Sequence, residues 1–157
     1  MIYDQTALAN ALMFDQAYRT LYEKFNTGLR TNNLSDMGLL VPVAVNCAFS
    51  CELFLKSMLP VGSRGHKLYN DLFTKLDSQS QDAIIDGTVK LTQLNLNNYT
   101  SDNFHKDLEA NEKAFEVWRY FHEKNASNPS FNIRFMSNFQ EVVKSLAIFY
   151  NKQSKEL

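Results

Sequence analysis

The sequence predicts an all-α fold, a single bundle of five or six helices running up and down with short connections. Three observations carry this. Five glycines and three prolines in 157 residues are roughly half the average usage, and strand-and-turn folds consume more of both. Apolar residues recur three and four apart along most of the chain, and no stretch alternates as a strand does. The length suits one domain, residues 1–157, and neither an internal repeat nor a dividing linker interrupts it.

The first helix is expected over residues 4–26, with Leu8, Leu12, Ala17, Leu21 and Phe25 on one side and Asp15, Gln16, Arg19 and Glu23 among them. Thr27-Gly28 is expected to end it, and turn formers from Asn32 to Gly38 make a loop. Pro42 suits the first turn of a second helix, where Ala44, Cys47, Ala48, Cys51, Leu55 and Met58 cover one face and Val45, Phe49 and Leu53 a second. A helix apolar over most of its circumference belongs at the centre of the bundle. Cys47 and Cys51, four apart on it, read as core thiols rather than a disulfide or metal pair.

After the breaker Pro60-Val61-Gly62-Ser63-Arg64-Gly65-His66, the residues Leu68, Leu72, Phe73 and Leu76 make a short third helix. Ser78 with Gln81 has the capping-box pattern and opens a fourth through Ile84, Ile85, Val89 and Leu91, with Gly87 a weak spot inside it. A fifth segment covers residues 102–124 and is interrupted near Asn111, where the apolar rhythm slips. Asn128-Pro129 starts the last helix, carried by Phe135, Phe139, Val142, Leu146 and Phe149, and the tail after Tyr150 frays.

Composition narrows function by exclusion. Hydrophobic residues at 45% and charged residues at 21% exclude disordered and low-complexity classes. A net charge of -1 gives no global basic field to hold a nucleic acid. The start Met1-Ile2-Tyr3-Asp4 lacks a signal-peptide pattern, and no run approaches the roughly 18 apolar residues of a membrane span, so a cytoplasmic protein with no membrane partner is expected. The three histidines and two cysteines are scattered without ligand spacing, so neither a metal nor another cofactor is expected.

The few charges on the central helix are the first candidate chemistry. Glu52 and Lys56 are four apart with the acid leading, which fits a surface ion pair or, if the pair sits inside the bundle, a carboxylate that anchors an arginine from another helix. Arg119 is the candidate partner, flanked by Trp118 and Tyr120, and these four residues (Glu52, Lys56, Arg119, Tyr120) then form a structural polar core. The alternative is that Arg119 only bridges Glu116 and Glu123. Arg64-Gly65-His66-Lys67 sets three cations before a helix N-terminus, where an anion such as phosphate is favoured; the plainer reading makes Gly62 and Gly65 turn residues and His66 a helix cap. His105 reads as solvated, while His122 stands three residues after Arg119.

The runs Asn46-Cys47-Ala48-Phe49-Ser50-Cys51-Glu52-Leu53-Phe54-Leu55-Lys56-Ser57-Met58-Leu59, Gly65-His66-Lys67-Leu68-Tyr69-Asn70-Asp71-Leu72-Phe73-Thr74-Lys75-Leu76 and Ala114-Phe115-Glu116-Val117-Trp118-Arg119-Tyr120 together resemble the HEPN superfamily, over residues 40–125. The resemblance implies a four-to-five-helix bundle, commonly a homodimer, with an RNA- or nucleotide-related role in bacterial toxin-antitoxin or phage-defence systems. It also implies, for active members, metal-independent RNA cleavage by an arginine and a histidine four to six residues apart. Here Arg119 and His122 have two residues between them, and Arg64 and His66 have one. The expectation is therefore a non-catalytic member that binds RNA, a nucleotide or a protein partner from a neighbouring gene, through Arg64, His66, Lys67 and Arg119. The alternatives are a ribonuclease using Arg119 with His122 or His66, and a purely structural or antitoxin-type interaction protein.

Overall fold

In the computed structural model, which describes residues 4–120 and 131–153, the chain opens with α1 (Gln5–Thr31). Asp4 caps it, accepting from the Ala7 N-H at 2.9 Å. The helix runs past Thr27-Gly28, the expected stop, and ends at Asn32, whose left-handed backbone (φ 54°) closes the last turn on the Gly28 carbonyl. Gly28 instead makes room for a neighbour. The single turn α2 (Leu34–Met37), capped by Asn33, crosses so closely that a Cβ at Gly28 would lie 2.5 Å from Asp36 Cβ. The expected loop is thus half helical.

α3 (Leu40–Ser57) is the central helix that its composition predicts, packed between α1 and two later helices. Val43, Ala44, Cys47, Ala48, Cys51, Phe54 and Leu55 are fully buried, and both cysteines are free thiols. Small residues on this face let the neighbouring backbones come close. The segment Leu34–Ser57 is long and apolar enough to cross a membrane by length and composition, contrary to the sequence expectation, but half of its apolar 18-residue stretch is buried inside the bundle. The burial is that of a core helix and is compatible with a soluble protein.

The expected third helix is instead one π-helical turn (Leu68–Leu72) followed by a 3-10 turn (Phe73–Lys75). Leu68, Leu72, Phe73 and Leu76 are buried all the same, so the apolar spacing is right and the hydrogen-bond register differs. α4 (Ser78–Gln93) is capped one residue earlier than the box pattern suggests: Asp77 accepts from the Ser80 N-H at 2.9 Å and the Ser80 hydroxyl at 2.6 Å, while Gln81 donates to the Leu76 carbonyl. Gly87 marks a close helix crossing rather than a weakness, since a Cβ there would meet Val142 Cγ1 at 2.8 Å.

α5 (Ser101–Ala110) and α6 (Ala114–Arg119) are separated where the rhythm slips. Asn111, buried, turns its amide back to the Asp107 carbonyl at 2.8 Å and ends α5. α7 (Ile133–Gln153) lies against both α3 and α4. Its buried line is Phe135, Met136, Phe139, Gln140, Val143 and Ala147, whereas Phe149 is 52% exposed. The expected line 135-139-142-146-149 has a 3.5-residue period, and a 3.6-residue helix rotates about 20° per heptad away from it, which carries Phe149 off the core. His122, Glu123 and the start signal Asn128-Pro129 lie outside the described residues.

Phe73, Phe104, Phe135 and Phe139 meet ring to ring at centroid distances of 5.5 to 6.1 Å and join the 3-10 turn, α5 and α7. Ionic contacts tie α1 to α7: buried Asp15 holds Arg19 at 2.9 Å and Lys144 at 2.6 Å, and Arg19 reaches on to Glu141. Gln140 donates to the Ser50 hydroxyl inside the core. These polar groups satisfy one another, as burial requires.

Candidate functional site

Glu52 faces inward from α3 and is 1% exposed. Its Oε1 accepts from Lys56 Nζ at 2.7 Å and from His66 Nδ1 at 2.9 Å, and its Oε2 is buried without a hydrogen-bond partner. The pair is therefore internal, not a surface pair. Arg119 does not join it: no hydrogen bond or ion pair links Arg119 to Glu52, and the expected polar core of Glu52, Lys56, Arg119 and Tyr120 is corrected to Glu52, Lys56 and His66. The reason is position. Arg119 and Tyr120 stand at the exposed end of α6, while the loop after α3 brings His66 back over Glu52.

A carboxylate oxygen that already accepts from Lys56 can only accept from the imidazole, so the proton sits on Nδ1. That leaves Nε2 of a ring whose side chain is 59% exposed. The loop itself is held by Asp71, whose Oδ2 accepts the backbone N-H of His66 at 3.1 Å and of Lys67 at 3.2 Å. Those two amides, with Lys67 and Lys75 nearby, hold the Asp71 carboxyl below its ordinary range. Gly65 permits this with φ +123°, and a Cβ there would overlap Asp71 Cβ at 2.4 Å. The loop amides expected to receive a phosphate are thus taken by the chain's own carboxylate, and the His66 side chain serves Glu52 rather than capping the turn.

His66 shares a cleft of about 240 Å³ with Phe115, Glu116, Arg119 and Tyr120. Of the expected ligand residues Arg64, His66, Lys67 and Arg119, the fold brings His66 and Arg119 together here; Arg64 and Lys67 do not line the cleft. The Arg119 guanidinium lies 5.5 Å from the Phe115 ring centre and 5.3 Å from that of Tyr120. Phe115 stacks on Phe49 of α3 at 4.4 Å, and Phe49 meets Phe14 of α1 edge-on at 4.6 Å. An aromatic row thus fixes the arginine's platform to the core. Among the described residues no carboxylate pairs with Arg119, so the bridge to Glu116 does not form either.

No protein-family model, curated protein or solved structure matches the chain. The chemistry must be read from the residues. Two larger clefts exist, an apolar one of about 340 Å³ between α4 and α7 and one of about 390 Å³ beside Tyr99 and Arg134, and among the described residues no histidine lines either. Among the described residues no three His, Cys, Asp or Glu side chains gather as a metal would need.

Two side chains in the cleft escaped the sequence reading as site residues. Phe115 carries helical core spacing, and nothing local distinguishes a core phenylalanine from one that floors a cleft. Glu116 looked like an ion-pair partner for Arg119. His105 also differs from its solvated reading: it is half-buried, edge-on to Tyr69 at 5.9 Å and to Phe104 at 5.4 Å. Tyr69, 36 residues away in sequence, carried no local signal.

Proposed function

We propose that this protein is a non-catalytic, HEPN-like binding domain for a phosphate-bearing ligand, RNA or a nucleotide, in the cytoplasm of a bacterium with a toxin-antitoxin or phage-defence system. One observation carries the reading: Arg119, braced by two aromatic rings and without a carboxylate partner among the described residues, opens into the cleft that His66 lines. A guanidinium is a planar fork suited to phosphate, and the ring faces below it suit a base. RNA binding measured by gel shift at several salt concentrations tests this. Binding should weaken with salt, and Arg119→Ala should weaken it about tenfold or more; binding unchanged by that substitution refutes the assignment.

A metal-independent ribonuclease is the second reading, favoured by the His66 Nδ1 bond to buried Glu52. That bond orients an imidazole whose Nε2 can take a proton from a ribose hydroxyl while Arg119 steadies the charge on phosphorus. Metal-free cleavage of an RNA panel that disappears in both His66→Ala and Arg119→Ala would establish it and displace the first reading. A homodimer and a protein partner from a neighbouring gene belong to the same family resemblance. Light scattering that finds only the 18.1 kDa species at high concentration would remove the dimer.

A further inference from the structure

Glu116 and Arg119 are three residues apart on α6, so they project on the same side, and both line the cleft with Tyr120. Opposite charges this close on a helix ordinarily pair. Here they do not, and the guanidinium lies over the rings instead. The cleft therefore presents two separate recognition groups, one anionic and one cationic, beside a 40% exposed tyrosine ring. Its volume of about 240 Å³ falls below the roughly 300–1,000 Å³ of ordinary ligand pockets, which suits one nucleobase and its phosphate better than a longer ligand.

A carboxylate only accepts hydrogen bonds, and it has two oxygens to satisfy. Guanine is the one common base whose pairing edge offers two neighbouring donors, N1-H and the N2 amino group. Adenine and cytosine each set a ring-nitrogen acceptor beside their single amino group, and uracil flanks its one N-H with carbonyl oxygens, so each turns a lone pair toward a carboxylate. We infer that the cleft selects a guanine base adjacent to a phosphate: Glu116 reads the base edge, Arg119 holds the phosphate and Tyr120 stacks on the ring. This rests on the phosphate-ligand reading above and adds the identity of the base. The same chemistry is offered by a free guanine nucleotide and by an unpaired guanine in an RNA strand.

Isothermal titration separates these sources and tests the inference. The ligands are GMP, AMP, CMP and UMP, and single-stranded RNA tetramers that differ only in one central base. Guanine-containing ligands should bind about 5- to 10-fold tighter than the rest, the lower part of the range for a bidentate base contact because Glu116 is exposed. Glu116→Gln, which keeps the size and removes the second acceptor, should flatten the ranking, whereas Arg119→Ala should weaken all four bases alike. A preference shown only by GMP, or only by the tetramer, supports the inference and names the source. Binding without a base ranking, or a guanine preference that survives Glu116→Gln, overturns it and leaves the phosphate reading standing. No binding by any ligand removes both.

Discussion

Replacing Lys56 by methionine tests whether the Glu52 cluster is held as an internal ion network. Glu52 is 1% exposed, and Lys56 and His66 side chains are 18% and 59% exposed. Without Lys56 the carboxylate keeps one partner, the more exposed one, and its Oε2 already lacks any. Leaving a charge stranded in this way costs about 3–5 kcal/mol. Glu52→Gln is milder, about 1.5–3 kcal/mol for the lost charged hydrogen bonds, because Lys56 and His66 can both turn toward water. In the double variant neither charge is stranded, so its loss should match Glu52→Gln alone, which makes the coupling between the two sites equal to the Lys56→Met loss, about 3–5 kcal/mol. Urea unfolding followed by far-ultraviolet circular dichroism gives all three values, provided the denaturant slope stays constant. For a chain of this length Lys56→Met should lower Tm by roughly 6–20 °C. A loss below about 1 kcal/mol in Lys56→Met, or simple additivity in the double variant, would refute the buried network.

Gly65→Ala forces a side chain into φ +123° and onto Asp71, and should cost more than Gly62→Ala, where φ is +84° but nothing lies within 4 Å; strain of about 1–3 kcal/mol is expected in Gly65→Ala, and equal losses at the two sites would refute the Asp71 contact. Asp77 is held below its ordinary 3.8, first by the Ser80 hydroxyl and then by the Ser80 N-H. A carboxyl depressed on folding adds stability above its unfolded value that disappears as pH falls through the folded one, so a Tm-against-pH profile should be flatter below about pH 4 in Asp77→Asn, with a loss under about 1 kcal/mol at pH 7. Burial pushes the Cys51 thiol well up, and Cys47 is equally enclosed, so a thiol reagent should find nothing in the folded chain and both cysteines once it unfolds. Rapid labelling of the native protein would contradict that burial.

The central helix was legible because its apolar residues cover most of its circumference, a pattern only an enclosed helix tolerates, and Cys47 and Cys51 follow from it. The break at Asn111 was legible for the same reason, since a slipped rhythm means the buried face has moved. Features set by a contact between distant segments were not. Gly28 and Gly87 resemble a stop and a flaw in one dimension, yet each is small because another helix presses on it. Glu52 and Arg119 were expected to pair, yet Glu52 meets Lys56 and His66 while Arg119 lies over Phe115 and Tyr120. Helical spacing tells which residues share a face, whereas the angle of the loop that carries His66 depends on Asp71, a residue whose role no local pattern announces.

The chain has one tryptophan, Trp118, 6% exposed and next in sequence to Arg119. Light absorbed near 295 nm therefore excites a single fluorophore anchored in α6, with Phe131 edge-on at 5.9 Å. The protein's emission is a local record of the short helix that presents Phe115, Glu116 and Arg119, free of background from elsewhere in the fold. Quenching or a shift in colour on adding a nucleotide would report occupancy in real time on unlabelled material, and time-resolved decay would show whether α6 moves when the ligand arrives.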